Sequence, residues 1–91
     1  MIAGLSAAER VDATTIMFAA AVTAEGFSVS ADMRIGEKDA AHLLGVAPGH
    51  LKQLRQEGKG PIAYSRGVGG SRISYRLHDI AAWIESSIEE Y

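Results

Sequence analysis

The sequence predicts a mainly α-helical domain with one small β-hairpin, and three observations lead there. Gly36 to Gly58 reads as two short helices joined by a tight turn. Residues 62–77 then alternate apolar and polar side chains around a glycine-rich centre, the period of two paired strands. Ile80, Trp83, Ile84 and Ile88 finally recur at i, i+3, i+4 and i+8, the stripe of an amphipathic helix.

Length and composition bound what such a chain can be. With 91 residues there is room for one small core, near the lower limit for unaided stability. Cysteine is absent, so neither a disulfide framework nor a thiolate metal site supports the fold. The longest apolar run, Ile16 to Val22, is too short to span a bilayer, and no basic segment precedes it as in a secretory signal. A cytoplasmic, nucleoid-associated protein with no membrane contact is the expectation.

Taken in order, the chain opens with Ser6-Ala7-Ala8-Glu9, a capping box, and a helix follows from about Ala7 to Glu25, closed by Gly26. Its second half, IMFAAAV, is apolar around most of its circumference, whereas packing on one small domain needs a single stripe. Met17, Phe18 and Val22 therefore either serve the chain's own core or form a contact with another copy. Oligomerisation through these three residues is the reading carried forward. Ser30-Ala31-Asp32 reads as a linker, so residues 1–32 form a helical extension and 33–91 a second unit. Met33 and Ile35 are expected to face inward on a brief strand.

The second unit begins at Gly36, with Glu37 and Asp39 favourably placed at a helix N-terminus. Ala40 and Ala41 are small where a second helix must approach closely. Gly45 stands where the chain needs a positive φ to leave the first helix, and Pro48 suits the first position of the next. Leu51 and Leu54 give that helix, expected from Pro48 to Glu57, an inward stripe. Lys52, Gln53 and Gln56 point away, with Pro48, Gly49 and His50 at its leading end. This is the pattern of a helix-turn-helix, whose second helix enters the DNA major groove. Glutamine can bond adenine through both amide atoms, and lysine can reach guanine or phosphate.

Lys59-Gly60-Pro61 ends the helix and opens the hairpin. Ile62 and Tyr64 on one strand, and Ile73, Tyr75 and Leu77 on the other, are expected to face inward. Arg66 and Arg72 flank the tip, where Gly69 and Gly70 let the backbone approach DNA; a guanidinium there suits phosphate or a narrow minor groove. Neither phosphate-loop spacing of glycines occurs. The last helix is expected from about Asp79 into Glu90, with Trp83 closing the core and Glu85, Glu89 and Glu90 in solvent.

Charge is segregated along the chain. Arg34 to His78 carries eight Lys/Arg against three carboxylates, a net +5 within an overall −2. A basic face backed by acidic ends suits nucleic acid. His42, His50 and His78 have neither cysteine partners nor the spacing of a metal site, and no catalytic constellation emerges. The expectation is a non-enzymatic protein without metal or cofactor.

The ordered set GEKDAAHLLGVAPGHLKQLRQEG, GVGGSRISYRL and DIAAWI resembles the small winged helix-turn-helix proteins of the excisionase, or recombination directionality factor, group. These are relatives of the AlpA and MerR-type DNA-binding domains. The resemblance runs from Met33 to about Ser86. It implies a winged helix-turn-helix, here with an extra N-terminal helix that the resemblance does not explain. It also implies double-stranded DNA as partner, self-association on DNA, and a role beside a site-specific recombinase (integrase) in excision of a mobile element or phage. Ala47 and Pro48 depart from the group, which often offers Ser or Thr at that cap. A transcriptional regulator on the same fold, or an interaction adaptor acting through the first helix, are the alternatives.

Overall fold

The computed structural model describes residues 4–66 and 72–86. Its first helix, α1 (Ala7–Glu25), has both halves of the capping box: the Glu9 amide donates to Ser6 Oγ at 3.2 Å, and the Ser6 amide to Glu9 Oε1 at 3.0 Å. Those bonds hold the Glu9 carboxyl below its ordinary range, the one to the Ser6 backbone most of all. After Gly26 the chain crosses to a short strand, β1 (Arg34–Gly36), which leads directly into α2 (Glu37–Leu44). Gly45 then takes φ +72, a left-handed turn that only glycine enters without strain. It directs the chain into α3 (Pro48–Gln56), with Pro48 in the first turn.

A three-stranded antiparallel sheet completes the fold. The strands β2 (Tyr64–Arg66) and β3 (Arg72–Arg76) form the hairpin, and β1 adds to the other side of β3, giving the order β1-β3-β2. Ile35 pairs with Tyr75 and Tyr64 with Ser74. The chain passes from β3 without a loop into α4 (Leu77–Ser86). This helix starts two residues before the expected Asp79. Leu77 is fully buried as its first residue, and its amide donates to the Met33 carbonyl at 2.9 Å.

One core unites the elements. Ile35, Ala40, Ala41, Leu51, Tyr75, Leu77 and Ile80 are buried together, so the two alanines of α2 do admit α3 closely. Gly60 serves close approach too: a Cβ there would meet Leu54 Cβ at 3.3 Å. Val22 of α1 is 2 % exposed in this same core, and Phe18 packs against it. Val22 therefore has no surface to offer a second copy, and Phe18 little. That corrects the assignment of Val22 to an oligomer contact. The large apolar residues exposed on α1 are Met17, as expected, and Ile16, at 61 % and 70 % exposure.

Other expectations change for identifiable reasons. Met33 is not inward: it takes φ +61 at the turn before β1 and is partly exposed. Ile62 is 62 % exposed because it precedes the ladder, which begins only at Tyr64. Trp83 is half-buried rather than central, and its indole N–H donates to the Lys59 carbonyl at 3.0 Å. It ties α4 to the segment leaving α3. Glu85 is not a solvated tail residue but lies under α1, accepting from Thr14 Oγ1 at 2.9 Å and pairing with Arg10 at 3.4 Å. Ile88, Glu89 and Glu90 lie outside the described residues.

Candidate nucleic-acid interface

The outer face of α3 carries the side chains expected to reach DNA. Pro48, Gly49, His50, Lys52, Gln53 and Gln56 are all exposed, while Leu51 is buried and Leu54 half-buried behind them. The helical period sorts them this way: Leu51 is buried in the core with Ala40 and Ala41, and Leu54, one turn on, lies beside Gly60. At the N-terminus Ala47 caps with its backbone alone, its carbonyl accepting from His50 and Leu51. Gln53 is engaged within the helix, its amide donating to Glu57 Oε2 at 3.1 Å. To read a base it must exchange that exposed bond for one to DNA.

The hairpin joins the same core through Tyr75 of β3. Arg72 is exposed at the start of β3, directly opposite Arg66 in register. The tip, with Gly69 and Gly70, lies outside the described residues. Lys59 follows α3 with its side chain 72 % exposed and its ammonium 3.9 Å from Glu57. Separation of that size in solvent is a weak interaction, so Lys59 stays available to phosphate.

Two clusters escaped sequence reasoning. In the first, Glu37 at the start of α2 receives both nitrogens of the Arg55 fork, Nε at 2.8 Å and Nη2 at 3.2 Å. Tyr75 of β3 donates its hydroxyl to the same carboxylate at 2.6 Å. Burial pushes the Glu37 carboxyl up, but the bonds from Arg55 and Tyr75, with the charges of Arg55 and Lys52, together hold it below its ordinary range. Burial first, and then the Glu37 bond, raises the Tyr75 hydroxyl far above its usual value. Arg55 rises as well, chiefly through Glu37. In the second, the Tyr64 ring meets the guanidinium carbons of Arg34 and Arg76 at 5.6 and 5.0 Å. Asp32 pairs with both arginines, at 2.8 and 3.6 Å, and the Tyr64 hydroxyl donates to Asp79 at 2.7 Å. Bonds from Ser30 and Arg34 bring the Asp32 carboxyl down to about 2.

These clusters change the electrostatic account. Arg55 is neutralised by Glu37, and the single Asp32 carboxylate is shared between Arg34 and Arg76, so the basic segment presents less net charge than its lysines and arginines alone suggest. Lys38, Lys52, Lys59, Arg72 and Arg76 are among the exposed cations on or beside the helix-turn-helix and the hairpin. No local pattern announced the Glu37–Arg55 and Tyr64–Asp79 pairings, whose members lie 18 and 15 residues apart.

Two short helices around a glycine turn, backed by a small sheet with its hairpin, define a winged helix-turn-helix. Residues 37–87, more than half of the chain, match the family model described as helix-turn-helix domain, and the chain belongs to that family of DNA-binding domains. No curated protein and no solved structure gives a significant match. Among the described residues, no helix is long and apolar enough to cross a membrane, and no cluster of three or more His, Cys, Asp or Glu could hold a metal ion.

Proposed function

We propose that this chain is an architectural accessory of site-specific recombination, similar to an excisionase. Several copies bind neighbouring DNA sites, bend or bridge the duplex, and bias a partner integrase towards excision. The observation that carries the reading is a small winged helix-turn-helix with an apolar pair, Ile16 and Met17, exposed on α1. One such domain reads only a few base pairs, and neighbours on one duplex raise each other's effective concentration. An architectural factor works in that way. Lys52, Gln53, Gln56 and the end of α3 at Pro48, Gly49 and His50 would enter the major groove. Lys59, Arg66 and Arg72 would hold phosphates, with Gly69 and Gly70 at the wing tip.

Footprinting across the attachment region of the source element tests this directly. Adjacent protected sites, filled cooperatively, together with integrase-dependent excision that needs the protein, are the expected result. Protection of a promoter operator with no effect on excision would favour a transcriptional regulator instead.

A further inference from the structure

Arg55 is the one arginine on the recognition helix, yet it does not stand with the outward residues. It lies on the flank of α3, three residues beyond Lys52 and next to Gln56, so its charge is one helical turn from the groove-facing set. Glu37 holds it there by a two-point bond, with the side chains of Arg55 and Glu37 only 25 % and 19 % exposed. Tyr75 fills a further position on the carboxylate, so Glu37 joins α2, α3 and β3 at one point. Packing alone does not require an ion pair there. An apolar pair would join the same elements, and paired charges in partly buried sites add little net stability over one.

The arrangement does something an apolar pair would not: it keeps a strong phosphate ligand on the recognition helix and cancels its charge. We propose that Glu37 is a specificity-determining residue that restrains non-specific DNA affinity by sequestering Arg55. Affinity for random DNA rises with every phosphate a protein neutralises, whereas base reading by Gln53 and Gln56 does not depend on that count. A protein that must find a few sites among many gains discrimination by limiting the first term. This inference rests on the DNA-binding reading of α3, and its test separates the two.

The test measures affinity for a short random-sequence duplex as a function of salt, with folding checked by circular dichroism. Glu37→Gln keeps size and hydrogen bonding but leaves Arg55 uncancelled. Its slope of log K against log salt should steepen by about 0.9, the release from one phosphate, with several-fold tighter binding at low salt. Arg55→Gln should leave the wild-type slope unchanged. Adding Arg55→Gln to Glu37→Gln should bring the steeper slope back to that of the wild type. An unchanged slope in folded Glu37→Gln, or a flatter one in folded Arg55→Gln, overturns the proposal.

Wild-type protein supplies a readout that needs no variant to fold. The Arg55 Nε–H resonance should keep its carboxylate-bonded position when the random duplex is added. Its transfer to a phosphate would show that Glu37 does not sequester it, and the proposal falls. Should wild-type protein bind no duplex even at low salt, the DNA-binding reading itself fails, a result distinct from either of those.

Discussion

Thr14 on the first helix donates its hydroxyl hydrogen to Glu85 on the last, across 71 residues of sequence. Thr14 is 7 % exposed and Glu85 also receives Arg10, so the contact is an enclosed polar seam between α1 and α4. With Val22 in the core, it makes α1 part of the structure that presents the helix-turn-helix.

Glu85→Ala should therefore destabilise the fold. It leaves a buried hydroxyl and a partly buried guanidinium unmatched, which costs about 1–3 kcal/mol. A drop in melting temperature of several degrees is expected, with little change in DNA affinity while the protein stays folded. Removing residues 1–26 should go further and abolish cooperative unfolding, since it takes Val22 and Phe18 out of the core. A truncated chain with the full melting temperature would show that the α1 contacts contribute nothing.

Much of this fold was legible because its signals are local. Ser6 with Glu9 and then Gly26 marked both ends of α1, and Gly45 with Pro48 marked the turn between α2 and α3. The outward face of α3 followed from helical period once Leu51 and Leu54 were placed inside. Partner choice over distance was not legible. Nothing beside Glu85 in the sequence says that Thr14 will lie against it, and nothing beside Arg55 says that Glu37 will. Trp83 was misplaced for a related reason. A large aromatic on an apolar stripe reads as core, but α4 begins at Leu77, and Leu77, Ile80 and Ala81 take the buried positions. Met33 failed differently, because an apolar residue at positive φ contradicts its own preference and is forced by the turn before β1.

Trp83 consequently carries a smaller and more specific expectation than a buried tryptophan would. Trp83→Phe retains a ring on the surface of α4 and loses the bond to the Lys59 carbonyl, at a cost of about 0.5–1.5 kcal/mol. The effect should appear in melting temperature and as faster amide exchange around Lys59. A loss as large as that of a buried-aromatic truncation, about 3–5 kcal/mol, would restore Trp83 to the core.

Acid should destabilise the fold through its lowered carboxylates. Glu37 and Glu9 are held below their ordinary 4.5, and Asp32 falls from 3.8 to about 2. A folded-state value below the unfolded one adds stability above the unfolded value, and that stability disappears as pH falls through the folded one. Melting temperature should thus be insensitive to these groups near neutrality and decline from about pH 4.5 towards 2. Asp32→Asn should flatten the lowest part of that decline. An unchanged acid limb in Asp32→Asn would show that the pairing with Arg34 and Arg76 is not maintained in solution.

On DNA, the helix and the wing should separate by variant. If Lys52, Lys59, Arg66 and Arg72 each neutralise a phosphate, log K falls against log salt with a slope of roughly −3 to −4 per protomer. Arg72→Ala should flatten it by about one unit and weaken all sequences alike. Gln53→Ala should spare the slope and erode discrimination between cognate and random sites. Equal losses on both DNAs for Gln53→Ala would remove that residue from the base-reading set.

The outer face of α1 provides the test of assembly. Phe18 and Val22 are committed to the core, so substituting them would confuse folding with association. Ile16 and Met17 do not have that drawback: both are largely exposed, and a charge there meets solvent in the monomer. Met17→Glu should keep the wild-type melting temperature and single-site affinity. On DNA with adjacent sites it should lose cooperativity, because a carboxylate cannot be buried against a neighbour's apolar side chain without a partner. A head-to-tail contact would extend an array along the duplex, whereas a two-fold contact closes after two copies, so the number of sites filled together distinguishes them. If Met17→Glu and Ile16→Glu both fill adjacent sites as cooperatively as the wild type, α1 is not the contact and copies assemble through another surface.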